Sequence, residues 1–203
     1  MLSAISDGFF VGVALAFLIG PVFFMLIQTS IEHGLRQAIA LAFGVLVSDA
    51  LFILIAELGS NIFFNNNMVA GYVGYIGGVI LIAFGAVNFY KKPSQTHVSV
   101  QSKTDVLKTI IKGFAMNSFN PFVLIFWLGV AGSLAGKSYE SNMHVVFYAS
   151  VLTTVFGTDI LKSYLATKLQ RLLTATVLVW MNRISGVALV LFGMRIIYKS
   201  WLL

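Results

Sequence analysis

Apolar residues fall along this chain in six blocks, near residues 8–27, 38–58, 69–90, 113–133, 144–165 and 184–202. Each block is close to the roughly 20 residues that a helix needs to cross the hydrocarbon core of a bilayer. Polar positions gather in the connections at 28–37, 59–68, 134–143 and 166–183, which are short, and in one longer segment, 91–112. In lipid the backbone has no water to bond, so every block is expected as a helix. The pattern predicts an all-α polytopic membrane protein with six transmembrane helices, forming a single transmembrane domain over residues 1–203.

Two connections change that picture in detail. Segment 91–112 holds Lys91, Lys92, Lys103, Lys108 and Lys112 against Asp105 alone. It reads as a mobile surface loop whose second part leads amphipathically into the fourth block. In 166–183, Leu169, Leu172, Leu173, Val177 and Trp180 recur at helical spacing among Lys168, Arg171 and Arg183. That segment is either a helix lying at the membrane interface or the extended end of the fifth block.

Composition agrees: 59% of residues are hydrophobic and 10% charged, against about 25% charged in soluble domains. The net charge of +6 is therefore not a nucleic-acid footprint; in a membrane protein Lys and Arg report orientation. The connections after blocks one, three and five hold Arg36, the five lysines, and Lys168, Arg171 and Arg183. Those after blocks two and four hold only Lys137. The first group is expected in the cytoplasm, with loop 91–112 cytoplasmic and both termini outside. The first block begins behind Asp7 with no basic stretch before it, as a mature helix does rather than a cleaved signal peptide. There is no cysteine, which excludes disulfides and thiolate chemistry. His33, His97 and His144 lie in or beside connections, so no metal site and no cofactor is expected. No nucleophile elbow, Walker loop or dinucleotide fingerprint occurs, so the chain does not read as an enzyme.

The third and sixth blocks resemble each other. Residues 76–91 align without gaps on 184–199, with eight of sixteen positions identical, among them Gly78/Gly186, Gly85/Gly193 and the Tyr-Lys endings. Gly20-Pro21 in the first block corresponds to Asn120-Pro121 in the fourth, and Asp49 in the second to Asp159 in the fifth. A unit of three spans is odd in number, so its second copy must enter the membrane from the opposite side. The expectation is a 3+3 inverted repeat, about 1–90 and about 113–203, an architecture common among transporters.

Candidate chemistry follows from the polar residues inside apolar blocks. Proline removes a backbone donor and clashes with the preceding turn, so Pro21 and Pro121 are expected to break the first and fourth helices. Half-helix ends at mid-depth offer donors and carbonyls to a polar solute, and Asn117, Ser118 and Asn120 lie just before Pro121. Asp49 is costly in the membrane unless paired or hydrated, and a carboxylate that gains and loses a proton is what proton-coupled transport needs. The alternative is an Asp49 that only locks packing through Ser48 or a backbone amide. Asp159 is a second candidate, with Lys162 three residues on as its local ion-pair partner. Glu57 reads as solvated at the end of the second block, Arg195 as either snorkelling outward or pairing with an inner carboxylate, and Gln28, Thr29 and Ser30 as closing the first block. Gly71, Gly74, Gly77, Gly78 and Gly85 read as helix packing.

With these motifs in view the chain resembles the LysE/RhtB family of bacterial amino-acid exporters. The residues that carry the likeness are Gly20-Pro21, Gly34-x-Arg36, Ala42-Phe-Gly44 through Ser48-Asp49, Gly113-Phe, Asn117 and Asn120-Pro121. The family typically shows Pro-Gly-Pro-Asn in the first span and Asn-Pro-Lys in the fourth. Here Ile19, Val22 and Phe122 stand at the first proline, the asparagine and the lysine, which marks a divergent branch. The resemblance implies efflux of an amino acid or similar small polar metabolite across the bacterial inner membrane, driven by proton exchange. It implies substrate binding at Gly20, Pro21, Asn117, Asn120 and Pro121 and proton coupling at Asp49; Asp159 is added from the repeat alone. The implied partners are the substrate, protons and the lipid bilayer, with a homo-oligomer left open. A cation or metal-ion exporter, or a non-transporting membrane scaffold, is the alternative.

Overall fold

The computed structural model describes residues 1–16, 21–64, 67–90, 105–135, 139, 141–168 and 175–201. Among them the chain is helical throughout: α1 (Leu2–Ala16), α2 (Pro21–His33), α3 (Leu35–Phe64), α4 (Asn67–Tyr90), α5 (Val106–Ser118), α6 (Pro121–Ala135), α7 (Ser141–Lys168) and α8 (Ala175–Trp201). The protein is an all-helical membrane protein. Helices α3 and α7 are each long and apolar enough to cross a bilayer, and α5 with α6 make a third such span if taken as one broken span.

The apolar blocks coincide with helix, but their ends move. α3 continues to Phe64, seven residues beyond Glu57, with no proline between them to stop it; Glu57 is half-buried within the helix. The lead-in to the fourth block is helical from Val106, where the Asp105 side chain accepts the Leu107 N–H at 3.0 Å and caps the helix. Of segment 166–183, residues 169–174 lie outside the described residues. α7 ends at Lys168 and α8 already begins at Ala175, so Val177 and Trp180 belong to the last helix. Residues 91–104, 169–174 and Gly20 lie outside the described residues.

The helices form two compact units. One comprises Met1–Ala50, Pro93–Phe119 and Tyr139–Leu178; the other comprises Leu51–Lys92, Asn120–Ser138 and Val179–Leu203. Each unit draws on both halves of the sequence.

In the first unit, α1 buries Ala4, Gly8, Gly12 and Ala16, a small residue at every fourth position. That stripe lets α7 approach closely: a Cβ at Gly8 would lie 2.6 Å from the Phe147 carbonyl, and one at Gly12 only 3.0 Å from the Val151 carbonyl. Ser150 Oγ donates to the Ile5 carbonyl at 2.8 Å, and the Tyr139 hydroxyl to Asp7 at 2.9 Å. Helix α2 turns into α3 at Gly34, whose φ of +82° is one that residues with a Cβ rarely adopt. Beside the turn, Leu26 of α2 packs on Ala38, Leu41, Ala42 and Val45 of α3, with Phe156 of α7 against the cluster. Helix α5 crosses α3 where Gly113 meets the Leu41 carbonyl and Gly44 meets the Ile110 carbonyl; a Cβ at either glycine would overlap backbone.

In the second unit α4 and α8 meet through glycines. A Cβ at Gly78 would lie 2.7 Å from the Gly193 carbonyl, and one at Gly85 would lie 2.6 Å from the Gly186 carbonyl; the reciprocal distances are 2.6 and 2.5 Å. Gly77 faces Ile125 of α6, and Trp127, Leu81 and Leu134 are fully buried. Gly193→Leu should force these backbones apart at a cost of about 1–3 kcal/mol or more, read as a lower melting temperature in detergent, whereas Gly129→Ala, whose Cβ would meet nothing within 4 Å, should leave it unchanged.

Candidate functional site

The fourth apolar block is broken. Helix α5 ends at Ser118, with the Phe119 N–H bonded back to the Ala115 carbonyl at 2.9 Å, and α6 starts at Pro121. The cause is local chemistry. Proline has no N–H to continue the helix, but it suits the first position of a new one, where that donor would be unpaired anyway. Asn120 supplies the cap: its Oδ1 accepts the Phe122 N–H at 3.2 Å and its carbonyl accepts the Val123 N–H at 3.0 Å. Helix α2 likewise begins at a proline, Pro21.

On the last turn of α5 lies a polar pair. Asn117 Nδ2 donates to Asp49 Oδ1 of α3 at 2.8 Å and lies 3.4 Å from the Val45 carbonyl. Asp49 is 2% exposed and Asn117 3%. Alongside, the Ser48 and Ser118 hydroxyls are 2.9 Å apart, and about two turns nearer the start of α5 the Thr109 hydroxyl donates to Gln37 at 2.8 Å. The crossing allowed by Gly44 and Gly113 thus brings an acid and an amide from separate helices into contact. An ionised carboxylate accepts a hydrogen bond about twice as strong as a neutral group does, so the α3–α5 link depends on the charge of Asp49.

Asp159 is placed differently. Its carboxylate, 7% exposed, is 2.8 Å from Lys162 Nζ on the same helix, and that ammonium lies 5.8 Å from the Phe23 ring centroid of α2. One turn further along α7, the Ser30 hydroxyl donates to the Ser163 carbonyl at 2.6 Å and lies 2.6 Å from Thr167 Oγ1. Ser30 therefore does not simply close the first block; it ties α2 to α7. Ser30→Ala should cost about 1 kcal/mol, seen as a melting temperature lower by about 2–4 °C, with the Asp49–Asn117 pair undisturbed.

The structure brings together Asp49 and Asn117, which the sequence reading named separately. It sets Asp159 with Lys162, Asn120 and Pro121 at the start of α6, and Pro21 at the start of α2. Gly20 is outside the described residues. The bond of Asp49 to Asn117 and the Ser30–Ser163–Thr167 cluster were not foreseen, because their members stand 68, 133 and 137 residues apart; the one sequence signal for the second was hydroxyls recurring on a single face of α7. Arg195 is exposed. Among the described residues no group of three or more His, Cys, Asp or Glu is placed to hold a metal ion.

A buried acid–amide pair on the last turn of α5, just before the break, keeps polar atoms where packing alone would use apolar ones. The chain is a membrane transporter rather than an enzyme. It belongs to the LysE type translocator family, which it matches over residues 13–200. It is 25% identical, over 93% of its length and 92% of the relative's, to a Bacillus subtilis (strain 168) protein described as "Putative amino acid efflux protein YcgF". It is 24% identical, over 54% of its length and 52% of the relative's, to the "Leucine efflux protein" of Klebsiella pneumoniae subsp. pneumoniae. No solved structure matches it.

Proposed function

We propose that this protein exports an amino acid or a similar small polar metabolite across the bacterial inner membrane in exchange for protons. The observation that carries the reading is the 2.8 Å bond between Asp49 and Asn117, next in sequence to the break at Asn120-Pro121. Both full-length and partial relatives are described as efflux proteins, one for leucine. In this reading Gly20, Pro21, Asn117, Asn120 and Pro121 serve the substrate, and Asp49 takes and releases the proton. Asp159, whose carboxylate is held by Lys162, comes second for that role. Protonating Asp49 removes the charge that strengthens its bond from Asn117, so α3 loosens its hold on the last turn of α5, and the proton is linked to the state of the broken helix.

The reading includes six spans in a 3+3 inverted repeat, with the termini periplasmic and loop 91–112 cytoplasmic. Two reciprocal contacts support the repeat. Gly78 and Gly85 of the first copy pack on Gly193 and Gly186 of the second, where Gly186 is the counterpart of Gly78 and Gly193 of Gly85; a two-fold axis requires that exchange of partners. In the other unit the Leu41 carbonyl faces Gly113 and the Val151 carbonyl faces Gly12. Leu41 and Val151 each stand eight residues before their aspartate, Asp49 and Asp159.

The test is release of labelled amino acids from vesicles containing the purified protein, with the outside made acid. Release of at least one amino acid faster than from protein-free vesicles, and faster with the pH gradient than without, is the expected result. Release that ignores the gradient removes the antiport; no release of any amino acid removes the substrate class.

A further inference from the structure

We propose that the end of the α4–α8 pair bearing Arg183 is a binding site for an anionic phospholipid, with an acyl chain in the groove between the helices and the phosphate on the guanidinium. Ala86, Phe89 and Tyr90 of α4 and Gly186, Val187, Val190 and Leu191 of α8 line an apolar groove of about 250 Å³. It exists because Gly85 and Gly186 bring the two backbones together while the larger side chains on either side stand out as walls.

At its mouth the Arg183 guanidinium lies 5.8 Å from the ring centroids of both Phe89 and Trp180. Two aromatic faces hold a planar fork of five donors, the shape that matches a phosphate. Arg183 is exposed, and the described residues give it no carboxylate. Charge complementarity selects the occupant. The unit containing this groove has a single acidic residue, Glu57, against Lys91, Lys92, Lys137, Arg183, Arg195 and Lys199. Lys91 and Lys92 follow directly on Tyr90, the last groove residue of α4. Exposed Trp180 beside the cation, and exposed Tyr90 against Phe89, are what the headgroup level of a bilayer favours, and basic residues there attract anionic lipid. A zwitterionic lipid such as phosphatidylcholine also carries a phosphate, but its ammonium offsets that charge and is repelled by the surrounding cations, so the anionic lipid is preferred. The groove takes its ligand from the membrane itself and does not depend on what the protein exports.

The experiment adds phosphatidylglycerol, or phosphatidylcholine with the same acyl chains, to the purified full chain in neutral detergent and follows thermal unfolding. The expected result is a melting temperature higher by about 3 °C or more with phosphatidylglycerol than with phosphatidylcholine, and no rise with glycerol phosphate or inorganic phosphate. Arg183→Gln should remove that difference, and Arg183→Lys, which keeps the charge but not the fork, should retain part of it. Equal stabilisation by both lipids, a full preference surviving in Arg183→Gln, a rise with free phosphate alone, or a melting temperature that follows protein concentration and neither lipid would each overturn the proposal.

Discussion

Vesicles carrying Asp49→Asn will retain a folded transporter whose amino-acid release no longer responds to an imposed pH gradient. Asparagine is nearly isosteric with aspartate and keeps an oxygen to accept the Asn117 Nδ2 bond, which is 2.8 Å in the parent protein. The α3–α5 crossing at Gly44 and Gly113 does not involve the carboxylate, so the helices stay packed, while the neutral acceptor weakens the bond from Asn117 as protonation would. What disappears is the charge. Coupling between two ligands of one protein is typically worth about 1–3 kcal/mol, so its loss should remove a roughly 5- to 150-fold stimulation by the gradient. Asn117→Leu is the complementary variant. It keeps Asp49 but takes away the amide, leaving a buried carboxylate short of a donor, and should lower both stability and transport. Gradient-driven release that is undiminished in Asp49→Asn would move the proton role elsewhere, with Asp159 the next residue to test.

The second large effect is expected at Lys162. Lys162→Met leaves the Asp159 carboxylate, 7% exposed, without the ammonium that now stands 2.8 Å away. Breaking a buried ion pair from one side costs about 3–5 kcal/mol, because the remaining charge is stranded. Lys162 is 22% exposed, so water relieves part of this, and the low end, about 3 kcal/mol, is expected. Replacing both members, Asp159→Asn with Lys162→Met, should recover most of the loss, since no charge is then left behind. A denaturation series on the single and double variants in one detergent measures the cycle. A single variant as stable as the parent would mean that the pair contributes nothing, and that Lys162 is held by Phe23 and solvent instead.

The contrast between the two aspartates explains how far the sequence could be read. Both were visible as acids within apolar blocks, at corresponding places in two resembling halves. Their partners were not equally visible. Lys162 stands three residues from Asp159, and helical periodicity alone puts such residues on one face. Asn117 stands 68 residues from Asp49, and no local rule connects them. The same holds for the breaks. Pro121 announced the interruption, and Asn120 before it, read as a substrate ligand, proves also to cap the new helix. In segment 166–183, amphipathic spacing marked a helical face but not the helix to which that face belongs, and Val177 and Trp180 lie in α8.

The chain alone determined the class of protein, the helical state of the described apolar segments, the break at Pro121 and the small-residue stripes. All of these follow from one local constraint: a backbone in lipid must satisfy its own hydrogen bonds, and only residues nearby in sequence can do so within a helix. The tertiary structure alone decided which helices cross at which glycines, and therefore that Asp49 meets an amide and Ser30 the far end of α7. Those choices depend on the fit of whole helix surfaces distant in sequence. There the absence of a single Cβ at Gly44 or Gly113 sets how near an acid and an amide can come.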